Sequence, residues 1–126
     1  RRAAMAEILE TGTGYRVTPH NDPESALSLT VIAPTTEAAL ALQERKGIWN
    51  RLRDSSKHIY TNWEPILAKR TFHPKMNPWA WAKREITYTP DMCARTLDIL
   101  DRTCVVNMGL NYPTFLMRRV AKGIAA

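Results

Sequence analysis

The side chains best suited to chemistry lie in the middle of this sequence, and the first candidates are a histidine and a tyrosine. His58 and Tyr60 are two residues apart in a strand-like stretch, and residues at that spacing share one face of a strand. An imidazole can transfer a proton near neutral pH, and a phenol beside it can orient a ligand. The pair therefore predicts an acid–base group with an orienting hydroxyl. The alternative is a histidine that only hydrogen-bonds a loop.

Two arginines and three tryptophans flank this pair and suggest ligand binding. Arg51 and Arg53 are expected on one strand face, where two guanidinium groups can bind a carboxylate or a phosphate through paired hydrogen bonds. A solvated sheet edge is the alternative. The tryptophans can stack on a base or a sugar ring, or they can anchor a loop against a partner subunit. We favour the anchor for these three residues, Trp63, Trp79 and Trp81.

Several other chemistries have no signature in the sequence. It contains no P-loop, no dinucleotide fingerprint, no HExxH and no GxSxG. Neither Cys93 nor Cys104 has a nearby Cys or His at metal-ligand spacing, so we predict no metal site. We expect both cysteines to be small buried residues, one on the apolar stripe of a helix and the other in a strand.

The composition predicts one globular domain of ordinary size. Of the 126 residues, 44% are hydrophobic and 24% are charged, and the formal net charge is +6. The basic residues come as scattered pairs, which indicates a solvated face or a contact surface more than a nucleic-acid site. No apolar stretch is long enough to span a membrane. Two cysteines form no disulfide framework, so we expect a cytoplasmic protein.

Turn residues and apolar periodicity divide the chain into a few helices and strands. Because the strands are few and helices accompany them, the pattern predicts an α+β fold with a small, mostly antiparallel sheet and helices packed on one face. The predicted elements, in chain order, are a helix up to Gly12, strands over 15–18 and 26–33, a helix over 36–46 capped by Thr36 and stopped by Gly47, a strand over 48–53, a helix that begins at Thr89, Pro90 and Asp91, a strand over 103–107 and a closing helix from Asn111.

Residues 54–89 interrupt this pattern as a long loop rich in tryptophan and proline. Only residues 64–70 have the pattern of a short helix. A connection of this length in a compact domain is usually functional, or it wraps around a neighbour.

Several segments, and their order, resemble the C-terminal region of the DegT-type sugar aminotransferases, which have the aspartate aminotransferase fold. Residues 1–10 resemble the end of the helix that links that family's large and small domains. The other segments that carry the resemblance are the helix over 36–46 followed by Gly47 and Ile48, the stretch Lys57-His58-Ile59-Tyr60 with Trp63-Glu64-Pro65, residues 88–106, and the closing helix over 111–124. The resemblance covers nearly the whole chain.

This resemblance implies a homodimeric enzyme of sugar biosynthesis that moves an amino group from an amino acid, commonly glutamate, to a keto-sugar with the help of pyridoxal phosphate. Residues 1–126 are then expected to be a single C-terminal small domain, as in fold-type I pyridoxal-phosphate enzymes, with residues 1–11 as the end of the interdomain helix. In that family the lysine that holds the cofactor belongs to the large domain. We therefore expect the chain alone to contain no catalytic residue, to bind no cofactor and to be inactive.

The resemblance also implies that the small domain contributes residues to the substrate side. His58 and Tyr60 match the family best, and we predict Arg51 and Trp63 beside them as substrate-binding residues. The sequence departs from the family at Thr61, because a proline usually follows the tyrosine. The alternative function is a free-standing basic module that binds nucleic acid or mediates dimerisation.

Overall fold

Four short strands form one antiparallel sheet in the computed structural model of the chain, which describes residues 1–109 and 111–126. The strands are β1 (Arg16–Val17), β2 (Leu29–Ile32), β3 (Ile48–Arg51) and β4 (Thr103–Val106), and they lie in the order β1-β2-β4-β3. Each neighbouring pair is antiparallel. The predicted α+β fold with a small antiparallel sheet is confirmed, and each strand is shorter than predicted.

The register of the two central strands gives the sheet one buried face and one partly open face. Successive residues of a strand point to opposite sides. Thr30 pairs with Val105 on the partly open face, and both side chains keep some contact with solvent. On the other face, β2 and β4 contribute four buried side chains, Leu29, Val31, Cys104 and Val106.

Three of the helices cover the buried face of the sheet. The helices of the described residues are α1 (Arg2–Glu10), α2 (Thr36–Gln43), α3 (Glu64–Leu67), α4 (Pro78–Trp81), α5 (Ala94–Arg102) and α6 (Thr114–Ala125). Helix α1 packs along α6, and α2 packs against β3 and β4. The buried helix residues of this core are Met5, Leu9, Ala39, Leu42, Met117, Ala121 and Ile124. The predicted packing of helices on one face is therefore confirmed.

None of these helices, over residues 1–109 and 111–126, has both the length and the apolar character needed to cross a membrane.

Helix α2 has its N-cap one residue earlier, and its end three residues earlier, than the sequence pattern predicts. The side chain of Thr35 accepts a hydrogen bond from the backbone N–H of Ala38 at 3.1 Å, so Thr35 is the N-cap and the prediction of Thr36 is wrong by one residue. The helix ends at Gln43, three residues before the predicted end. The predicted stop at Gly47 is wrong, because the C-cap is Glu44; Gly47 instead adopts φ +104° and turns the chain into β3.

Helix α5 begins later than predicted, and this exposes a cysteine that was expected in the core. Thr89, Pro90 and Asp91 do not start the helix, because α5 begins at Ala94. Cys93 precedes it in a left-handed conformation with φ +94° and lies at the surface, so the prediction that it is buried is wrong. The prediction for Cys104 is confirmed, since it is fully buried in β4.

The segment over residues 54–89 contains more helical turns than predicted. Besides α3, which falls within the predicted 64–70, it contains α4 and several single turns of 3₁₀-helix. The Asn77 side chain accepts from the backbone N–H groups of Trp79 and Ala80, and Pro78 follows it at the first helical position. This is a standard helix start. The prediction of one helix in this segment is therefore incomplete.

The buried thiol of Cys104 is expected to make the chain less stable in strongly alkaline solution. Burial raises the pKa of Cys104 from its ordinary 9.0 to about 11. Between these values the folded chain keeps a proton that the unfolded chain releases, so the free energy of unfolding should fall by about 2 kcal/mol as the pH rises through this range. Urea titrations at pH values from 8 to 11 measure the fall.

Two alanine variants distinguish the contribution of the Cys104 thiol to this loss of stability from the contributions of other groups that titrate at high pH. Cys104→Ala should lower stability at pH 8 and should flatten the alkaline decline, whereas Cys93→Ala should keep the decline of the parent chain. Equal slopes in the parent and in Cys104→Ala would contradict the expectation.

Candidate functional site

A cleft of about 530 Å³ lies on the partly open face of the sheet, beside β3. Asn50 and Val105 pair across β3 and β4 and line the cleft together. Its apolar lining consists of Leu52, Ile59, Leu100 and Val105. A larger depression of about 680 Å³ lies at the start of α1, but none of the predicted site residues lines it. We therefore take the cleft beside β3 as the candidate site.

An irregularity in β3 brings two neighbouring residues into this cleft. The pairing of β3 with β4 shifts register between Ile48 and Asn50. In a regular strand Trp49 and Asn50 point to opposite faces, but an extra residue in the ladder re-aims the side chains. Both residues accordingly line the cleft, and Trp49 is 79% exposed.

His58 lines the same cleft from the segment that follows β3. It ends a turn of 3₁₀-helix at Ser56–His58, and the next residue, Ile59, is buried. Ile59 thus attaches this segment to the domain while the His58 side chain stays exposed. Within residues 1–109 and 111–126, the imidazole has no hydrogen-bond partner, so it can accept or donate a bond to a ligand in the cleft.

Tyr60 does not share a face with His58, and the prediction of one common strand face is wrong. The two residues lie in separate 3₁₀ turns rather than in a strand, so the two-residue spacing of a strand does not apply. The Tyr60 hydroxyl donates to the carbonyl of Pro90 at 2.9 Å and lies 3.2 Å from that of Thr89. Loss of contact with water is the main cause that raises the pKa of Tyr60. The hydroxyl therefore stays protonated and keeps its hydrogen bond to the backbone at residues 89–90.

Arg51 has carboxylate partners within the chain itself. Its guanidinium makes two bonds to Asp54, at 3.0 and 3.1 Å, and a third to Asp101 at 3.3 Å. The side chain is only 12% exposed. Bidentate pairing of this kind fixes an arginine in place, so the arrangement favours a structural role over the capture of a substrate anion.

Arg53 lies outside β3, and the prediction that it shares a strand face with Arg51 is wrong. The strand ends at Arg51, and Arg53 belongs to the 3₁₀ turn Leu52–Asp54. Its Nε still reaches Asp101, at 3.6 Å. Asp101, in α5, therefore holds both arginines and ties the end of β3 to that helix.

Loss of Asp101 is expected to weaken this connection. Asp101→Ala removes a carboxylate that faces two cations, and we expect the free energy of unfolding to fall by about 1 kcal/mol, since the pairs are only partly buried. Urea denaturation measures the change, and a double-mutant cycle with Arg51→Met isolates that pair. Asp98→Ala is the matched control, because Asp98 lies on the same helix and pairs with Arg102 at a more exposed position. A larger loss for Asp98→Ala would contradict the expectation.

The three tryptophans of residues 54–89 lie in different settings. Trp63 precedes α3, is 43% exposed and does not line the cleft. The Trp79 indole N–H donates to the Tyr88 hydroxyl at 3.0 Å, which anchors α4 within the segment. Trp81 is exposed at the end of α4. The structure thus brings His58 to the cleft, and it leaves Tyr60, Arg51 and Trp63 outside its lining.

The cleft also contains residues that sequence reasoning missed, notably Trp49, Asn50 and Ser56. Strict alternation assigns Trp49 and Asn50 to opposite faces, and no residue type in β3 signals the shift in register. Ser56 has φ +57°, an uncommon backbone region for serine, and its neighbours give no turn signature. The tryptophan next to an asparagine is the sequence signal that could have pointed to a binding surface.

The described residues do not fit a covalent site for pyridoxal phosphate. A lysine that bonds to this cofactor is activated by an enclosed, desolvated pocket. Every lysine whose side chain is described is exposed, namely Lys46, Lys69, Lys75, Lys83 and Lys122. The described part of the chain also contains no group of three or more His, Cys, Asp or Glu side chains that could hold a metal ion.

Comparisons with protein-family models, with curated proteins and with solved structures found no match to this chain.

Proposed function

We propose that the chain is the C-terminal small domain of a sugar aminotransferase of the DegT type, which transfers an amino group from an amino acid such as glutamate to a keto-sugar. The observation that carries the proposal is the order of elements on one antiparallel sheet: helix, two strands, helix, strand, long irregular segment, helix, strand and helix. This is the order on which the sequence resemblance rests. His58, one of the two best family matches, supports it further, because it lines an open cleft.

In this proposal the chain contributes substrate binding rather than the covalent step. Pyridoxal phosphate supplies the electron sink of transamination when it is bound. The resemblance assigns its site to the large domain, and the exposure of the described lysines supports that assignment. His58 has an imidazole free to bond to the sugar or to move a proton at one of its hydroxyls. Tyr60, Arg51 and the paired aspartates hold the segment that carries His58.

The proposal includes a partner surface on the segment over residues 54–89. Large apolar side chains exposed on a soluble domain commonly mark a contact surface, and tryptophan, phenylalanine, methionine and arginine are enriched in interfaces. The exposed large apolar residues of this segment are Trp63, Ile66, Phe72, Met76 and Trp81. They support the expected contacts with a large domain and with a second copy in a homodimer.

The test of this function uses the whole reading frame that contains these residues. Its product should show the visible absorbance of bound pyridoxal phosphate and glutamate-dependent amination of a keto-sugar nucleotide. His58→Ala should raise the KM for the sugar about tenfold, the cost of one strong hydrogen bond, and should leave the cofactor absorbance unchanged. His73→Ala is the control, because the His73 imidazole only accepts a local bond from the backbone of Lys75.

Two outcomes would overturn the proposal. One is a complete gene product that contains no domain with a cofactor lysine. The other is a product that binds the cofactor but is equally affected by His58→Ala and His73→Ala.

A second candidate is the basic nucleic-acid module, favoured by one local observation. Residues 63–84 contain five lysines and arginines and only one acid, and Phe72 and Trp81 are exposed among them. Aromatic and basic side chains together can bind single strands. Titration with oligo-dT at two salt concentrations tests this candidate, because it requires salt-sensitive binding and quenching of tryptophan fluorescence.

A further inference from the structure

The cleft beside β3 has an aromatic wall that nothing else in the described chain covers. Trp49 lines the cleft and is 79% exposed. Exposure of an indole ring to water is unfavourable, and its flat apolar face can stack on a flat apolar face of a ligand. A tryptophan kept at the mouth of a cleft, on a strand irregularity that re-aims it, therefore indicates a stacking platform.

Three polar side chains in the cleft have no partner in the described part of the chain. They are the Asn50 amide, the Ser56 hydroxyl and the His58 imidazole. Together they offer both donors and acceptors. The nearby Ser55 hydroxyl differs, since it donates to the carbonyl of Leu52 at 2.6 Å. These three unpaired side chains therefore suit a ligand that can both donate and accept hydrogen bonds.

The charge of the described lining residues favours a neutral ligand over an anion. Of the described residues that line it, Asp54 alone carries a formal charge, and both oxygens of that carboxylate bond to Arg51. No lining cation is present in this set to hold a phosphate or a carboxylate. A neutral ligand with hydroxyl groups satisfies the unused donors and acceptors without burying an unpaired charge.

The size of the cleft agrees with a small neutral ligand. Its volume of about 530 Å³ lies within the range of small-molecule sites, about 300–1,000 Å³. Its lining combines apolar side chains, among them Leu52, Ile59 and Leu100, with the unpaired polar groups. A lining of both kinds suits a sugar ring, which has an apolar C–H face and a rim of hydroxyls.

We propose that this cleft binds a neutral pyranose ring, with Trp49 stacked on its C–H face and Asn50, Ser56 and His58 bonded to its hydroxyls. The proposal rests on the proposed function for the sugar as substrate class, and it deepens that function by assigning the ring to Trp49 and Asn50. Tyr60, Arg51 and Trp63 have no direct contact with the ring in this arrangement.

The test measures sugar binding to the chain itself, without cofactor and without an amination assay. The probes are the methyl glycosides of glucose, galactose and mannose, followed by saturation-transfer NMR and by tryptophan fluorescence. At least one glycoside should bind saturably. Trp49→Ala should weaken its affinity about tenfold, and Asn50→Ala or His58→Ala about three- to tenfold each. Trp49→Phe should retain most of the binding and shows that the cleft stays intact.

Trp81→Ala is the matched control, because Trp81 is a similarly exposed tryptophan outside the cleft. It should leave the affinity unchanged. The proposal is overturned if no glycoside binds, if Trp81→Ala weakens binding as much as Trp49→Ala, or if uridine binds through Trp49 more tightly than every glycoside. A failure here leaves cofactor absorbance and amination by the whole gene product to decide the proposed function separately.

Discussion

Replacing Gly47 with alanine is expected to lower the free energy of unfolding by about 3 kcal/mol, the sum of a strained backbone and an overpacked contact. Gly47 has φ +104°, a conformation that L-residues rarely adopt, and a Cβ at this position would lie 2.6 Å from Cγ1 of Val120 and 3.3 Å from Cδ1 of Ile124. Both neighbours belong to α6, and Val is stiff at its only side-chain torsion. The turn from α2 into β3 would therefore have to move away from the core.

Two other glycines separate the two contributions to this loss. Gly12 has φ +73° but open space around it, so Gly12→Ala should cost only the backbone strain, about 1 kcal/mol. Gly123 lies in α6 with no neighbour within 4 Å of an added Cβ, and Gly123→Ala should stabilise the chain by about 0.5–1 kcal/mol. Urea denaturation gives all three values. The interpretation fails if Gly47→Ala costs no more than Gly12→Ala.

The role of Gly47 illustrates how far local sequence signals reach. A glycine after an alanine-rich amphipathic stretch marks the end of a helix, and the chain does turn there. Its contact with α6 joins residues more than 70 positions apart, and no local pattern reports such a contact. Periodicity predicts the order of the elements and the type of sheet. Strand lengths are not predicted in this way, because they depend on pairing with distant partners.

Helix starts show a second limit of local signals. Thr89, Pro90 and Asp91 have the residue types of an N-terminus, yet the chain forms turns there and enters α5 only after Cys93. The carbonyls of Thr89 and Pro90 face the Tyr60 hydroxyl, so the apparent helix start serves as an attachment point for another segment. A tertiary contact thus overrides a propensity worth a fraction of a kcal/mol per residue.

The candidate site could be predicted only in part, for related reasons. His58 drew attention because of its residue type, and it lies in the cleft. Arg51 drew attention for its charge, but it pairs with Asp54 three residues later and with Asp101 50 residues away, and these ion pairs use the group that seemed available to a ligand. Asn50 and Trp49 were missed because a strand irregularity is a property of two strands together.

Leu42→Ala is expected to lower the free energy of unfolding by about 3 kcal/mol, since removal of a buried leucine side chain forfeits its transfer free energy and leaves a cavity. Leu42 is 0% exposed and belongs to the core cluster with Ala39 of the same helix. Its helix packs against β3 and β4, and the sheet cannot close the cavity without losing its other contacts. Thermal or urea denaturation of the variant measures the loss.

Leu40→Ala is the control for this prediction, because Leu40 lies on the same helix two residues earlier and is 47% exposed. The sequence alone does not distinguish the two leucines, which both stand among alanines. We expect Leu40→Ala to change stability by less than about 1 kcal/mol, as for other surface substitutions. Similar losses for both variants would mean that α2 does not present Leu42 to the sheet, and the register of α2 against the β2–β4 core would then be wrong.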